Sequence, residues 1–234
     1  MAFAGVRFAW PGRDPFGLGV DRFEVARGER LLLTGPSGSG KSTLLALLCG
    51  VVVPAAGRVE LLGADLGGMS GPARDRFRAA HLGVIFQMFN LLPYLSVLDN
   101  VLLPLSFSPE RRERAGGRAG AAAEARRLLG RLGLADGSLA GRQAARLSVG
   151  QQQRVAAARA LIGAPGIVVA DEPTSALDRD RQRDFLDLLF AEVARAGACL
   201  VMVSHDVSLG RHFDRVVRQD EVARAGRGEG SPSC

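Results

Sequence analysis

The stretch GPSGSGKST, residues 35–43, decides the fold of this 234-residue chain. It matches the pattern G-x-x-x-x-G-K-[ST] at every fixed position, follows the apolar run Leu31, Leu32 and Leu33, and precedes a helical segment at residues 44–48. In such a setting the glycines let the backbone curl so that successive N–H groups point at phosphate oxygens, and the following helix adds its positive N-terminal end. The stretch therefore predicts a phosphate-binding loop between a strand and a helix.

The side chains of this loop indicate what it binds. Lys41 is the only lysine among 30 Lys and Arg residues, and its slim ammonium is predicted to reach β and γ phosphates where a guanidinium fork would not serve. The Ser42 hydroxyl is predicted to ligate Mg²⁺. Ras-type GTPases need a second lysine to read guanine, so the single lysine excludes that class. The remaining residues of the loop are Gly35, Pro36, Ser37, Gly38, Ser39, Gly40 and Thr43.

The amino-acid composition narrows the possible classes of protein further. No stretch approaches the ~20 apolar residues of a membrane span, and the N-terminus lacks the pattern of a secretory signal. The net charge of +6 comes from dispersed arginines without interleaved aromatics, which favours an ordinary basic surface over a nucleic-acid partner. Three scattered cysteines suit a reducing cytosol, and we expect Cys49 and Cys199 to be buried and Cys234 to lie on a tail.

Apolar runs outline an α/β core with an insertion. We predict one domain over residues 1–234, with a core at about 1–87 and 166–220 and a helical subdomain at about 88–165. Further core strands are predicted at 84–86, 167–170, 200–203 and 216–217, a helix at 179–195, and short antiparallel strands within 6–25 and 58–62. In the insertion we predict a loop at 108–120 and helices at 121–132 and 151–162, and we expect the tail, 225–234, to be disordered.

Polar side chains stand where three of these strands end. The apolar run at 167–170 leads into Asp171, predicted to face Mg²⁺ through a water, and Glu172, predicted to take a proton from an attacking water. Gln87 ends the preceding strand, where its amide can accept from water or coordinate Mg²⁺. His205 follows the strand at 200–203, and ligands of open α/β sheets bind where the carboxyl ends of strands converge.

The motifs follow one another along nearly the whole chain. They are Trp10, the glycine loop at 35–43, Gln87, LSVGQ at 147–151, the strand at 167–171 with Glu172, SALD at 175–178, and His205. In this order they resemble the ATP-binding subunit of ABC transporters, in which 35–43 would be the Walker A loop and 167–171 the Walker B strand. The resemblance implies a P-loop NTPase fold with a RecA-like core, an antiparallel β subdomain and an inserted α-helical subdomain. It also implies ATP as ligand, Trp10 stacking on adenine, Glu172 as general base, His205 at the γ phosphate and Asp178 at a dimer interface.

The LSVGQ segment carries no acid, base or metal ligand. Ser148 is placed at a helix N-terminus, where its hydroxyl and the N–H groups of Gly150 and Gln151 are predicted to form an anion site. The resemblance implies that this site closes over the γ phosphate of a second, head-to-tail copy of the chain. Val149 stands where glycine is commonest in the family, and we expect it to keep a negative φ with its side chain directed away from the nucleotide.

A narrower resemblance comes from HLGVIFQMFNLLPYLSVLDNVLLPL, residues 81–105, which is similar to the lipoprotein-releasing, macrolide-exporting and FtsE-type ATPases. Asp99 stands where glutamate is usual, and the C-terminal segment lacks the usual Asp-Gly-Arg turn, so the closing hairpin is expected to be altered. We expect Leu91, Leu92, Tyr94 and Leu95 to be partly exposed as a surface for a membrane partner.

The implied function is an ATPase that powers export or extraction of a lipoprotein, macrolide or peptide through an integral membrane permease subunit. It would lie on the cytoplasmic face of the bacterial inner membrane as a peripheral protein, with a second copy of itself as partner and no nucleic acid. The alternative is an FtsE-like regulatory ATPase that signals to cell-wall enzymes. A DNA-repair ABC ATPase is not favoured, because the insertion is short and lacks heptads.

Overall fold

In the computed structural model the described residues, 1–12, 16–175 and 177–227, form two β-sheets and eight helices. None of the helices in this part of the chain combines the length and apolar character that a membrane crossing requires. The strands are β1 (Ala2–Ala9), β2 (Phe16–Glu24), β3 (Arg30–Thr34), β4 (Ala56–Leu61), β5 (Ala64–Asp65), β6 (Leu82–Ile85), β7 (Ile167–Asp171), β8 (Cys199–Val203), β9 (Arg215–Arg218) and β10 (Arg224–Arg227). The helices are α1 (Lys41–Leu48), α2 (Gly71–His81), α3 (Val97–Leu102), α4 (Pro109–Arg114), α5 (Gly117–Arg131), α6 (Val149–Leu161), α7 (Arg179–Ala196) and α8 (Gln219–Val222).

The first sheet is parallel, with the strand order β6-β7-β8-β3-β9. Successive residues of its central strands face opposite cores. Leu32 and Val168 face the core shared with α3, α5, α6 and α7, whereas Leu33 and Val169 face the core shared with α1 and the second sheet. Cover on both faces explains the continuous apolar runs. The four strands predicted after the loop are confirmed to within two residues, and their carboxyl ends meet at one edge.

The second sheet is antiparallel, with the order β10-β2-β1-β4-β5, and the predicted antiparallel strands are confirmed. They are longer than expected, since β1 has 8 residues and β2 has 9. The expectation of disorder from residue 225 is wrong at its start, because β10 pairs with β2 and places Ala225 opposite Leu18; residues 228–234 lie outside the described part. The altered C-terminal segment forms α8, which carries the chain from β9 in one sheet to β10 in the other.

The segment before residue 121 is helical, although a loop was predicted there. The loop expected at 108–120 is instead α4 and the first turn of α5. Ser108 caps α4 by accepting a hydrogen bond from the N–H of Arg111 at 3.1 Å, Pro109 follows at the first helical position, and Glu110 complements the helix dipole. Gly116, with φ 92°, separates the two helices. These capping residues outweigh the glycine and arginine content that indicated a loop.

A buried guanidinium fixes α4 to the rest of the molecule. Arg111 donates to the carbonyl oxygens of Leu82 at 2.8 Å, Ile162 at 2.6 Å and Ala160 at 2.5 Å. These carbonyls lie at the carboxyl ends of α2 and α6, where helix dipoles favour a cation. Burial nevertheless lowers the pKa of Arg111 to about 10. One side chain therefore ties the helical region to the start of β6, the strand that leads to Gln87.

Candidate nucleotide site

The phosphate-binding loop connects β3 to α1 as predicted. Gly40 is left-handed, with φ 94°, and a Cβ there would lie 2.9 Å from Leu18 Cδ1, so glycine is required. The Lys41 ammonium donates to the carbonyl oxygens of Gly35 at 2.8 Å and Pro36 at 2.7 Å, which holds it across the loop. An ammonium has three donors, so these bonds keep Lys41 in place without saturating it. The loop thus presents a positioned positive charge to an anionic ligand.

Trp10 is joined to this loop by a contact that the sequence did not indicate. Its indole Nε1 donates to Thr43 Oγ1 at 3.0 Å, and its ring packs edge-to-face against Phe8 with centroids 5.1 Å apart. The Trp10 side chain remains partly exposed, as stacking against a nucleobase requires. Nearby, the Ser39 hydroxyl oxygen is buried and has no hydrogen-bond partner within the described ranges. A buried hydroxyl of this kind fits a polar ligand in the loop.

The carboxylates predicted at the end of β7 lie together with His205. Glu172 Oε1 is 3.0 Å from His205 Nδ1. Burial raises the pKa of Asp171, the neighbouring Glu172 raises it further, and the Lys41 ammonium opposes both. Glu172 adopts φ 46°, a left-handed conformation that costs a non-glycine residue about 1–3 kcal/mol and is typical of functional sites. Lys41, Asp171, Glu172 and His205 therefore form one cluster at the carboxyl edge of the parallel sheet.

Gln87 lies just beyond the end of its strand. The prediction that it ends the strand is off by two residues, since β6 ends at Ile85 and Gln87 is exposed in the following turn. Phe89 and Asn90 are both left-handed, with φ 58° and 49°. Arg159 of α6 donates to the carbonyl oxygens of Phe89 at 2.5 Å and Asn90 at 2.7 Å. A buried arginine thus holds the strained turn that carries Gln87.

The LSVGQ segment begins α6, as predicted. Ser148 Oγ accepts from the N–H of Gln151 at 3.3 Å, and Gln151 Oε1 accepts from the N–H of Ser148 at 3.0 Å, so the two form a capping box. The expectation of a free N–H at Gln151 is therefore wrong, because the serine hydroxyl occupies it. Val149 begins the helix, so its φ is negative as expected, and its side chain is exposed. A Cβ at Gly150 would meet nothing in the described ranges nearer than Leu177 Cδ2 at 4.0 Å.

Asp178 has a structural role within its own subunit. Its carboxylate caps α7 by accepting from the N–H of Arg181 at 3.0 Å. The side chain is exposed, so it is also available at the surface. Ala176, inside the SALD motif, lies outside the described residues.

A groove of about 790 Å³ runs from the carboxylate cluster to the outer surface. Ser42 and Asp171 line one end, and Leu45, Phe86 and Phe107 line its apolar wall. Phe107 is 67% exposed, unusually so for a phenylalanine. Tyr94 is exposed and Leu91, Leu92 and Leu95 are half-buried, so the expectation of partial exposure is confirmed.

Sequence comparison decides the family. Residues 19–175 match the sequence profile of the ABC transporter family. The chain belongs to this family. The ABC transporter ATP-binding protein YbbA of Escherichia coli K12 is 46% identical to this ABC protein over 194 residues, 83% of this chain and 82% of YbbA. The lipoprotein-releasing system ATP-binding protein LolD of Chromohalobacter salexigens is 39% identical over 199 residues, 85% of this chain and 80% of LolD.

Solved structures agree with this assignment. A dimeric post-hydrolysis state of the ATP-binding cassette MJ0796, bound to ADP and Pi, aligns with a TM-score of 0.79 and 32% identity over 99% of this chain and 100% of that one. A second dimeric structure of MJ0796, a bacterial ABC transporter cassette, gives a TM-score of 0.80 and 31% identity. The predicted P-loop fold and the resemblance to the lipoprotein-releasing branch are confirmed, and the chain is an ABC ATPase.

The raised pKa of Asp171 predicts a stability difference. Because the folded pKa lies above the unfolded value, the folded chain binds this proton more tightly, and ionisation near neutral pH destabilises the fold. Asp171→Asn should therefore raise the midpoint of thermal unfolding at pH 7 by a few degrees and abolish Mg²⁺-dependent turnover. The gain in stability should shrink as the pH is lowered toward the range in which the carboxyl is protonated in both states.

The matched control is Asp187→Asn, on the exposed face of α7, which should change neither property. An Asp171→Asn protein that is less stable than wild type at pH 7 would contradict this account of the carboxylate pair.

Proposed function

We propose that the chain is the Mg²⁺-dependent ATP-hydrolysing subunit of a transporter complex, working as a head-to-tail pair beneath a membrane permease. The observation that carries the proposal is the cluster of Lys41, Asp171, Glu172 and His205 beside the glycine loop. A positioned ammonium next to paired carboxylates suits a triphosphate and an attacking water, and the known relatives are ABC ATP-binding proteins.

Ser42, Gln87 and Asp171 are the residues proposed to hold Mg²⁺. No group of three or more His, Cys, Asp and Glu side chains forms a metal site within the described ranges, but Mg²⁺ commonly takes one or two carboxylates and completes its shell with water and phosphate oxygens. The raised pKa of Asp171 fits this ligand, because a cation there would offset the repulsion from Glu172. When bound, Mg²⁺ neutralises the phosphate charge that develops during transfer.

The protein residues act on charge and on one proton. Lys41 keeps two donors on the loop carbonyls and directs its third toward β and γ phosphate oxygens, where its charge stabilises the transferred group. Glu172 accepts the proton of the attacking water on its carboxylate. His205 Nδ1 lies 3.0 Å from both carboxylate oxygens of Glu172, which fixes the carboxylate beside the imidazole and orients the base. Trp10 supports the adenine, and its bond to Thr43 fixes the ring against the loop.

The LSVGQ segment is proposed to act on the ATP of a second copy. Its helix N-terminus at Ser148 and Gly150 forms an anion site with no acid or base of its own. A head-to-tail pair would place this site over the γ phosphate held by the partner, with Asp178 near the interface. The pairing is supported by the two structures of MJ0796, both of which are dimeric. The space around Gly150 within its own subunit leaves room for a phosphate group of the partner's nucleotide.

The apolar groove beside Phe86 and Phe107 is proposed to receive a cytoplasmic segment of the permease. It opens next to Asp171 and to Asn90, in the turn after Gln87, so an occupant would touch the residues that adjoin the reaction. The complex would stand on the cytoplasmic face of the inner membrane. The likeness to LolD makes a lipoprotein one candidate cargo, beside a macrolide or a peptide.

The role of Glu172 as base gives the direct test of this proposal. Glu172→Gln should bind ATP and dimerise but lower kcat at least ~100-fold, because an amide takes no proton from water. Phosphate release and size-exclusion chromatography with ATP and Mg²⁺ measure both properties. Glu24→Gln, exposed at the end of β2, is the control and should behave as wild type. Undiminished turnover in Glu172→Gln would show that another group is the base.

Gly150→Ala tests the shared site separately. In the isolated subunit the methyl group has room and alanine favours helix by up to about 1 kcal/mol, so thermal stability should equal or exceed that of wild type. Turnover should nevertheless be lost and the ATP-driven dimer weakened, because the methyl group would face the partner's γ phosphate. Gly130→Ala on α5 offers the same helix substitution with open space around it and should leave turnover unchanged. An ATP-dependent dimer of Gly150→Ala with normal turnover would exclude the shared site.

A further inference from the structure

The polar run that follows the capping box of α6 makes a series of backbone contacts. Gln152 Nε2 donates to the carbonyl oxygen of Leu147 at 3.1 Å, and Arg154 donates to that of Leu132 at 2.6 Å. Gln153 is different, because it is 1% exposed and its Nε2 donates to the carbonyl oxygen of Pro173 at 2.6 Å. Gln153 thus connects α6 to the residue directly after Glu172.

The loop that carries Glu172 is held from two sides. On one side, the N–H of Glu172 donates to the carbonyl oxygen of Val203 in β8 at 3.0 Å. On the same side, Gln182 of α7 donates to the carbonyl oxygen of Thr174 at 3.1 Å. On the α6 side, Gln153 holds Pro173. Glu172 has a left-handed backbone, so its orientation depends on such surrounding contacts. A lost bond at Pro173 would free one side of the strained residue.

The same helix begins at the anion site. Ser148 caps α6, and Gln153 follows five residues later, about 7.5 Å along the helix axis at 1.5 Å per residue. A helix this short moves as a rigid rod. A shift of Ser148 therefore reaches the carbonyl that Gln153 holds.

We propose that Gln153 is a positioning residue that couples the signature end of α6 to Glu172. Contact of Ser148 and Gly150 with the nucleotide of the partner fixes the position of α6. The hydrogen bond from Gln153 to Pro173 then transmits this position to Glu172 of the same subunit. The partner's ATP, which contacts the N-terminal end of α6, thereby helps to align Glu172, which acts on the ATP bound by its own subunit. This inference rests on the proposed function, because it assumes the base and the shared site.

Replacement of the amide by an apolar group of similar size tests this coupling. Gln153→Met should keep KM for ATP within about twofold and retain the ATP-driven dimer, while kcat falls about 10-fold. Gln152→Met is the matched control, since it removes an amide-to-carbonyl bond one residue away that does not involve the base loop, and its kcat should stay at the wild-type value. Thermal unfolding of each variant shows whether the fold is kept.

Gln153→Glu supplies a readout that a purely structural role would not move. A neutral carboxyl can donate to the Pro173 carbonyl but a carboxylate cannot, and burial favours the neutral form. The kcat of this variant relative to wild type should therefore rise as the pH falls from about 8 to about 6.

An unchanged kcat in Gln153→Met, an equal loss in Gln152→Met, or a Gln153→Glu pH profile parallel to that of wild type would each overturn the coupling. These results leave the proposed function standing. A wild-type protein without ATP turnover would instead overturn the proposed function, and the coupling with it.

Discussion

Two adjacent carboxylates at the end of one buried strand are the constraint on which the rest of the site depends. Burial raises the pKa of Asp171, and repulsion from the adjacent Glu172 carboxylate raises it further. Their surroundings offset this cost, since Lys41 lies near enough to oppose the shift and His205 bonds Glu172. The strand is buried because it lies inside a parallel sheet with a core on each face. The fold therefore creates the carboxylate repulsion that Mg²⁺ is proposed to offset.

Helix α6 connects three parts of the proposed site. Its first turn carries Ser148, its middle holds Pro173 through Gln153, and its last turns hold the strained turn after Gln87 through Arg159. Its carboxyl end is fixed by Arg111, which also lines the apolar groove. A single helix thus contacts the proposed anion site, the loop that carries Glu172 and the wall of the proposed permease groove. Coupling between ATP and a membrane partner needs such an element.

The sequence was sufficient for the parts of the fold that rest on local patterns. The glycine loop, the buried strands and the order of motifs predicted the P-loop core, the antiparallel sheet and the residues at the carboxyl edge. The prediction of a loop at 108–120 is wrong because it gave the glycine and arginine content more weight than the capping signal of Ser108, Pro109 and Glu110. That signal was present in the sequence and gives the better prediction of α4.

The contacts that support the site depended on long-range geometry. Nothing in the local pattern pairs Trp10 with Thr43, Gln153 with Pro173 or Arg159 with Asn90, since the partners are 20 to 69 residues apart. A polar residue on the buried face of an amphipathic helix was the available signal for Gln153 and Arg159. It indicates that a partner exists without saying which one. The capping box likewise showed that the N–H of Gln151 is occupied, which the motif alone had left free.

The central claim is that each ATP is completed by two chains, and mixing two inactive variants tests it most directly. In a mixed pair of Gly150→Ala and Glu172→Gln chains, one site combines an intact base from the first chain with an intact signature from the second, whereas the other site carries both defects. Mixed at equal concentrations, the variants should regain turnover up to about a quarter of the wild-type value, since at most about half of the pairs are mixed and each has one active site. Turnover that stays at the level of the separate variants would contradict the account, because it would place the signature and the base of one chain on the same ATP.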